Sequence, residues 1–172
     1  HSSLCIDEQD HNLRVAQHLA ASLEAAGHTP LLTRTSNAGP AYSRRIARAA
    51  DQGADLLISL HSDARGASHH WQPQPGLACS WNDAHPGFSV LWSDEGSEDL
   101  VDARLGLTQA VALRLEQAGF PPYDGDVYSG IYEGDPHRPG VFVDRHEPRW
   151  RIRMLRRPAM PSIIIETHNA LD

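Results

Sequence analysis

Residues 55–61 read Asp-Leu-Leu-Ile-Ser-Leu-His, a short apolar run that ends in a histidine. A nearly continuous apolar run of this length is typical of a strand buried on both faces in a parallel sheet. A second run, Pro-Ser-Ile-Ile-Ile-Glu at residues 161–166, ends in a carboxylate. The sequence therefore predicts buried strands that each place a polar side chain at their end.

Helical segments alternate with these strands. Apolar residues recur every four positions in residues 7–26 and again in residues 100–118, so each segment has one apolar face. A further helix is expected at residues 41–52. Additional strands are expected at residues 30–34, 77–81, 88–92 and 152–155. This alternation predicts an α/β fold in a single domain over residues 1–172, with a mostly parallel twisted sheet flanked by helices on both faces.

The composition restricts the class of protein. A length of 172 residues suits one domain with a real core. A formal charge of −7 gives no electrostatic support for binding nucleic acid, and we expect no membrane span because no apolar run approaches roughly 18 residues. Cys5 and Cys79 allow at most one disulfide and do not fix the redox compartment. Residues 65–99 and 120–150 look like loop-rich insertions.

Several polar residues are expected to meet at one edge of the sheet. His61 ends a buried strand, and ligands bind at the carboxyl ends of strands in open α/β sheets. Glu166 follows three isoleucines, where an ionised carboxylate is costly unless it has a partner or a task. Glu8 and His11 lie one turn apart at the start of the first helix. Ordinary structural roles remain open for each: a hydrogen-bonded edge histidine, a carboxylate that complements the helix dipole, or a carboxylate paired with arginine.

Three blocks of the sequence resemble, in the same order, the amidase-3 family of zinc-dependent N-acetylmuramoyl-L-alanine amidases. Residues 8–34 are similar to the family's first long helix and the strand after it. Residues 45–64 are similar to its second helix and the strand that ends in a zinc ligand. Residues 160–172 are similar to its closing strand, which carries the catalytic glutamate. Together the blocks cover a little over a third of the chain.

This resemblance implies a zinc site and a catalytic residue. It implies that Glu8 and His61 are zinc ligands, and that a further histidine upstream of Glu8 is the first ligand. His1 is the only residue there that can supply it, and His11 is the alternative. Two histidines and one glutamate leave a fourth zinc position open for water. Glu166 is then expected to take a proton from that water and deliver it to the departing amine.

Two other residues are possible contacts to the substrate or the transition state. His168 lies two residues beyond Glu166 and hence on the same face of an extended strand, where it could steady a tetrahedral intermediate. Arg157 belongs to a basic stretch that starts at Arg145, and its planar guanidinium suits a substrate carboxylate. A position on the solvated surface is the alternative for both.

The implied cofactor is Zn²⁺, and the implied partner is peptidoglycan or its soluble fragments, the muropeptides. Such a substrate places the protein in the periplasm or outside the cell. The insertions are expected to wall the cleft, with His69, His70, Trp71 and Trp81 as possible stacking surfaces for sugar rings. Two alternatives stay open: a zinc hydrolase of the same fold that acts on another N-acyl amino acid or peptide, and a catalytically silent domain that binds the cell wall.

Overall fold

The computed structural model describes residue 3 and residues 5–172, and these residues form four helices and seven strands. The helices are α1 (Glu8–Ala25), α2 (Tyr42–Asp51), α3 (Glu98–Gln117) and α4 (Arg153–Arg156). The strands are β1 (Leu57–Asp63), β2 (His69–Gln74), β3 (Leu77–Trp81), β4 (Ser89–Trp92), β5 (Tyr132–Gly134), β6 (Val141–Asp144) and β7 (Ser162–Asn169).

The central sheet has the strand order β1-β7-β4-β6-β5. Parallel pairing joins β1 to β7 and β4 to β6. Antiparallel pairing joins β7 to β4 and β6 to β5. Strands β2 and β3 form a separate antiparallel hairpin. The α/β fold class is therefore confirmed, with a mixed sheet in which the two predicted strands β1 and β7 are parallel neighbours.

The sheet separates two hydrophobic cores. Successive residues of a strand point to opposite faces, and the buried strand residues divide accordingly. Leu91 and Ile164 pack with residues of α2 and α4 on one face. Val90 and Ile163 pack with Ala112 of α3 on the other. Helices thus cover both faces of the sheet, as the sequence predicts.

Two predicted strands are wrong. Residues 30–34 do not form a strand, and Arg34 instead donates a 2.6 Å hydrogen bond to the carbonyl oxygen of Gln9 in the first turn of α1. Residues 152–155 do not form a strand either, because Ile152 is the N-terminal cap of the short helix α4 and the other three residues belong to that helix. Met154 and Leu155 are both buried. A helical turn can bury two consecutive residues on one side, whereas a strand sends them to opposite faces.

The loop-rich insertions contain more regular structure than their composition indicates. Residues 65–99 include the hairpin of β2 and β3, the strand β4 and the start of α3, and residues 120–150 include β5 and β6. A disulfide joins Cys5, ahead of α1, to Cys79 in β3. In the part of the chain that the structure describes, no helix combines the length and the apolarity that crossing a membrane requires.

Candidate active site

The centre of the site lies where β1, β7 and β4 run side by side. His61 of β1 is in register with Glu166 of β7, and Ser89 of β4 is in register with Glu166 from the other side. Glu166 lies two residues beyond Ile164, which belongs to the core shared with α2 and α4. The alternation of strand residues therefore places these three side chains on the face that α2 and α4 cover.

The first residue of α1, Glu8, reaches the same place. Its Oε1 lies 3.0 Å from Nδ1 of His61. The same oxygen accepts a 3.0 Å hydrogen bond from the side-chain amide of Asn12 and a 3.3 Å hydrogen bond from the backbone N–H of Ser62. Glu8 is thus fixed against β1 by its own helix and by the strand.

The contact between Glu8 and His61 changes the pKa of both groups. The hydrogen bond from His61 is the main cause that lowers the pKa of Glu8, against the effect of burial. The same hydrogen bond is the main cause that raises the pKa of His61, and burial and the charge of Arg45 oppose it. Arg45, on α2, is therefore close enough to act electrostatically on the imidazole.

Glu166 is a largely buried carboxyl group beside this pair. Burial, which disfavours the charged form, raises its pKa to about 7. The charge of His61 lowers that pKa, and the charges of Asp63 and Glu8 raise it. Among the described residues its buried Oε2 has no hydrogen-bond partner. A carboxyl group that titrates near neutrality and has an unused oxygen can both accept and donate a proton.

An arginine that the sequence analysis did not single out supports this arrangement. Arg65 is fully buried, and its guanidinium lies 3.9 Å from the centre of the Tyr123 ring. It donates hydrogen bonds to Asp63 at 3.1 Å, to the carbonyl oxygen of Gly87 at 2.7 Å and to Ser89 at 3.0 Å. Arg65 therefore joins the end of β1 to the start of β4. Its position four residues after His61 is the only signal of this role in the sequence.

His168 lies in an irregular part of β7. His61 pairs with Glu166, but Asp63 pairs with Asn169, so β7 has one extra residue between these pairs. Because of this bulge, the alternation of strand residues alone does not place His168 on the face of Glu166. The His168 ring lies edge-to-face against His11, with 5.3 Å between the ring centres. Burial is the main cause that lowers the pKa of His168, and the charge of His11 adds to it.

Two predicted site residues remain, His1 and Arg157. His1, the expected first zinc ligand, lies outside the described residues. Arg157 is exposed and is the C-terminal cap of α4, so it precedes the amino end of β7, whereas Glu166 lies beyond the middle of that strand. The structure thus brings Glu8, His61 and Glu166 together and leaves Arg157 on the surface.

The donor chemistry of this site fits zinc. A histidine nitrogen and a carboxylate oxygen are ligand types that zinc prefers, and here they lie 3.0 Å apart. Within the described residues, no group of three histidine, cysteine, aspartate or glutamate side chains could hold a metal ion. Glu8 and His61 are therefore two donor groups of the types that zinc accepts, and His1, the expected third ligand, is outside the range described.

These features define an α/β domain with a candidate hydrolytic site, in which a histidine–carboxylate pair lies beside a buried carboxyl group. A family model described as N-acetylmuramoyl-L-alanine amidase, Amidase_3, matches residues 3–170. The chain belongs to this family, and the resemblance seen in the sequence is confirmed.

Individual relatives agree with this family. The chain is 33% identical over 61 residues to the N-acetylmuramoyl-L-alanine amidase LytC of Bacillus subtilis, a match that covers 36% of this chain and 12% of LytC. Among solved structures, the N-acetylmuramyl-L-alanine amidase Ami1 of Mycobacterium smegmatis is similar with a TM-score of 0.64 and 20% identity, over 94% of this chain and 61% of Ami1. The amidase AmiC2 of Nostoc punctiforme is similar with a TM-score of 0.63 and 20% identity, over 95% of this chain and 67% of AmiC2. The chain thus spans only part of the length of LytC and Ami1, and the structural likeness shows a shared fold.

Proposed function

We propose that this domain is a zinc-dependent amidase that hydrolyses the amide bond between N-acetylmuramic acid and L-alanine in peptidoglycan. The observation that carries the proposal is the convergence of Glu8 and His61 on a buried carboxyl group, Glu166, whose pKa burial raises to about 7. Membership of the amidase family supports this choice of substrate.

Glu8, His61 and His1 are the residues that would hold zinc. When bound, zinc supplies a Lewis acid that activates water and polarises a carbonyl group. Asn12 and Ser62 both donate to Oε1 of Glu8, and hydrogen bonds of this kind orient a ligand carboxylate. The hydrogen bond between Glu8 and His61 would give way to shared coordination, so the pKa shifts of this pair describe the metal-free protein.

Glu166 provides the proton transfers. Its carboxylate accepts a proton from the water that attacks the amide carbonyl, and a C–O bond forms. The resulting carboxylic acid then donates this proton to the amide nitrogen as the C–N bond breaks, which releases a peptide with a free amino terminus. A pKa near 7 suits both halves of this cycle at neutral pH.

The disulfide supports a location outside the cytoplasm. Bonds of this kind form and persist in the periplasm and in extracellular surroundings, and they are rare in the cytosol. Cys5 and Cys79 are joined in this structure. Together with a cell-wall substrate, this bond supports the assignment of the protein to the periplasm or the exterior of the cell.

Mass spectrometry of the products tests the proposed activity. Purified peptidoglycan and soluble muropeptides are incubated with the protein, with and without a zinc chelator. We expect free stem peptides that begin with L-alanine, formed only when zinc is available. Cleavage of another amide bond, or of neither substrate by the zinc-loaded protein, would contradict the proposal.

A Glu166→Gln variant tests the assigned role of this residue. Because general acid–base catalysis contributes about 10²–10⁴-fold, we expect turnover to fall by at least about a hundredfold while bound zinc and the circular dichroism spectrum are retained. Turnover close to that of the unmodified protein would rule out Glu166 as the proton carrier.

A further inference from the structure

A cavity lies on the side of the site formed by α2. It has a volume of about 490 Å³ and is lined by Tyr42, Ser43 and Arg45 of α2, by Arg153 of α4, and by residues 39–41, which precede α2. This volume is within the range of small-ligand sites, roughly 300–1,000 Å³. Both helices cover the face of the sheet on which Glu166 lies, so the cavity and the site share one side of the molecule.

Two arginines give this cavity a positive charge. In the part of the chain that the structure describes, neither Arg45 nor Arg153 lies in an ion pair with a carboxylate. No aspartate or glutamate is among the described residues that line the cavity. Its two positive charges are therefore not balanced by a carboxylate in the cavity wall, and they favour an anion as ligand.

The segment before α2 contacts the guanidinium group of Arg45. Nε of Arg45 donates a 2.9 Å hydrogen bond to the carbonyl oxygen of Pro40. The guanidinium lies 5.3 Å from the centre of the Tyr42 ring. These contacts limit the positions that Arg45 can adopt, which lowers the entropic cost of binding a ligand. The remaining N–H groups of its planar fork can receive a carboxylate.

We infer that this cavity binds a carboxylate of the peptide part of the substrate, through Arg45 and Arg153. This inference rests on the proposed amidase function, in which a peptide leaves from the side of the amide nitrogen. Arg45 lies on α2, which packs with α4 against the face of the sheet that carries His61 and Glu166. An extended peptide spans roughly 3.3 Å per residue, so a carboxylate on the second or third stem residue lies about 7–10 Å from the amide bond that is cleaved. Arg153 thus takes the role that the sequence suggested for Arg157.

A pair of substrates that differ only in this carboxylate tests the inference. One is N-acetylmuramoyl-L-alanyl-D-glutamate with its free α-carboxylate, and the other has a carboxamide in that position. We expect kcat/KM to be about tenfold higher for the acid, mainly through KM, as for loss of a charge-assisted hydrogen bond. In Arg45→Gln and Arg153→Gln, the ratio of acid to amide falls toward one. Arg114→Gln, an exposed arginine on α3, is the matched control and keeps the ratio of the unmodified protein.

The outcomes separate this inference from the proposed activity. If both substrates are cleaved with equal kcat/KM, or if the cavity variants lose activity equally on both, the carboxylate site is refuted and the amidase function stands. A binding titration with the peptide L-alanyl-D-glutamate in the presence of chelator gives a readout that needs no turnover. We expect weaker binding of this peptide to Arg153→Gln than to Arg114→Gln. Equal affinities for the two variants would overturn the inference even if the enzyme is active.

Discussion

Glu166 combines a largely buried carboxyl group with the proposed role in proton transfer. Glu166 lies on β7, in register with His61 of β1 on one side and with Ser89 of β4 on the other. No described residue donates a hydrogen bond to its Oε2. A surface carboxylate would be ionised at neutral pH and would be a weak proton donor. Here burial keeps the protonated form accessible near pH 7.

This burial predicts a dependence of stability on pH. The pKa of Glu166 rises from an ordinary value of 4.5 to about 7 in the folded protein. The stability linked to its protonated form is therefore complete below pH 4.5 and is lost as the pH rises through 7. The difference in pKa corresponds to ~3 kcal/mol at most. Urea unfolding in the presence of chelator gives the free energy of unfolding of Glu166→Gln and of the unmodified protein at pH 5 and pH 8. We expect Glu166→Gln to be more stable relative to the unmodified protein at pH 8 than at pH 5. The control is Glu24→Gln, an exposed change on α1, which should show no such gain. If Glu166→Gln differs from the unmodified protein by the same amount at both pH values, the raised pKa of Glu166 is contradicted.

A change of His61 tests the proposed binding of zinc. If His61 is a zinc ligand, His61→Ala should reduce the zinc retained after gel filtration to a small fraction of one ion per chain, because fewer protein ligands hold the metal. Metal analysis by mass spectrometry measures this directly. The control is His28→Ala, an exposed histidine beyond α1, which should keep its zinc. Full zinc occupancy in His61→Ala would exclude His61 as a ligand.

At the scale of the elements, α3 is attached to the rest of the fold by a buried arginine. Arg104 is fully buried, and it donates hydrogen bonds to the carbonyl oxygens of Ser93, Glu95 and Pro158. It therefore connects α3 to the segment after β4 and to the segment between α4 and β7. Burial is the main cause that lowers its pKa, and the charge of Glu95 opposes this effect.

Removal of this arginine should destabilise the domain. Arg104→Met keeps an apolar stem but leaves three carbonyl groups without their donor, and we expect a loss of ~2–4 kcal/mol in the free energy of unfolding. Urea unfolding monitored by circular dichroism measures this loss. Arg114→Gln, on the exposed side of the same helix, should change stability by less than ~0.5 kcal/mol. A change of that small size in Arg104→Met would mean that these hydrogen bonds contribute little.

The elements also show what could be predicted from the sequence. The helices α1 and α3 and the strands β1 and β7 follow from periodic or continuous apolar patterns, which depend on local sequence alone. The error at residues 30–34 arises because a strand requires a partner, and partners are a property of the tertiary structure. The short strands β5 and β6 lie in a segment rich in glycine and proline, where no pattern of hydrophobicity is long enough to detect.

The site was predictable to a similar extent. His61, Glu166 and Glu8 could be named because each stands at the end of a recognisable element, and the topology brings such ends together. Arg65 could not, since its importance comes from acceptors distant in the sequence, such as Gly87 and Ser89. The bulge in β7 between Glu166 and Asn169 depends on the pairing of β7 with β1. Patterns within one segment do not contain this information.

For the whole molecule, the disulfide is a connection between distant parts. It joins positions 74 residues apart and attaches the hairpin of β2 and β3 to the segment ahead of α1. The side chain of Trp71 adds a 3.2 Å hydrogen bond to the carbonyl oxygen of Ser3 across the same contact. The hairpin thus contacts Ser3 and Cys5, two described residues ahead of α1.

Loss of this bond should lower global stability. A cross-link across a long loop stabilises a protein by typically ~2–4 kcal/mol, because it restricts the unfolded chain. We expect Cys79→Ser, or the reduced protein, to unfold at a correspondingly lower urea concentration than the oxidised protein. The control is Ser80→Ala, the neighbouring change in β3, which should unfold at the same urea concentration as the oxidised protein. If reduction leaves the midpoint unchanged, the bond makes no net contribution.

The position of the disulfide also links the approach to the site to the chemistry of the surroundings. Cys5 stands three residues before Glu8, so the bond restrains the backbone that leads into the first turn of α1. In a reducing compartment, this covalent restraint is lost, and non-covalent contacts such as the hydrogen bond from Ser3 to Ala170 remain. The rigidity of the segment beside Glu8 therefore depends on the redox potential around the protein, and it is greatest in an oxidising compartment such as the periplasm.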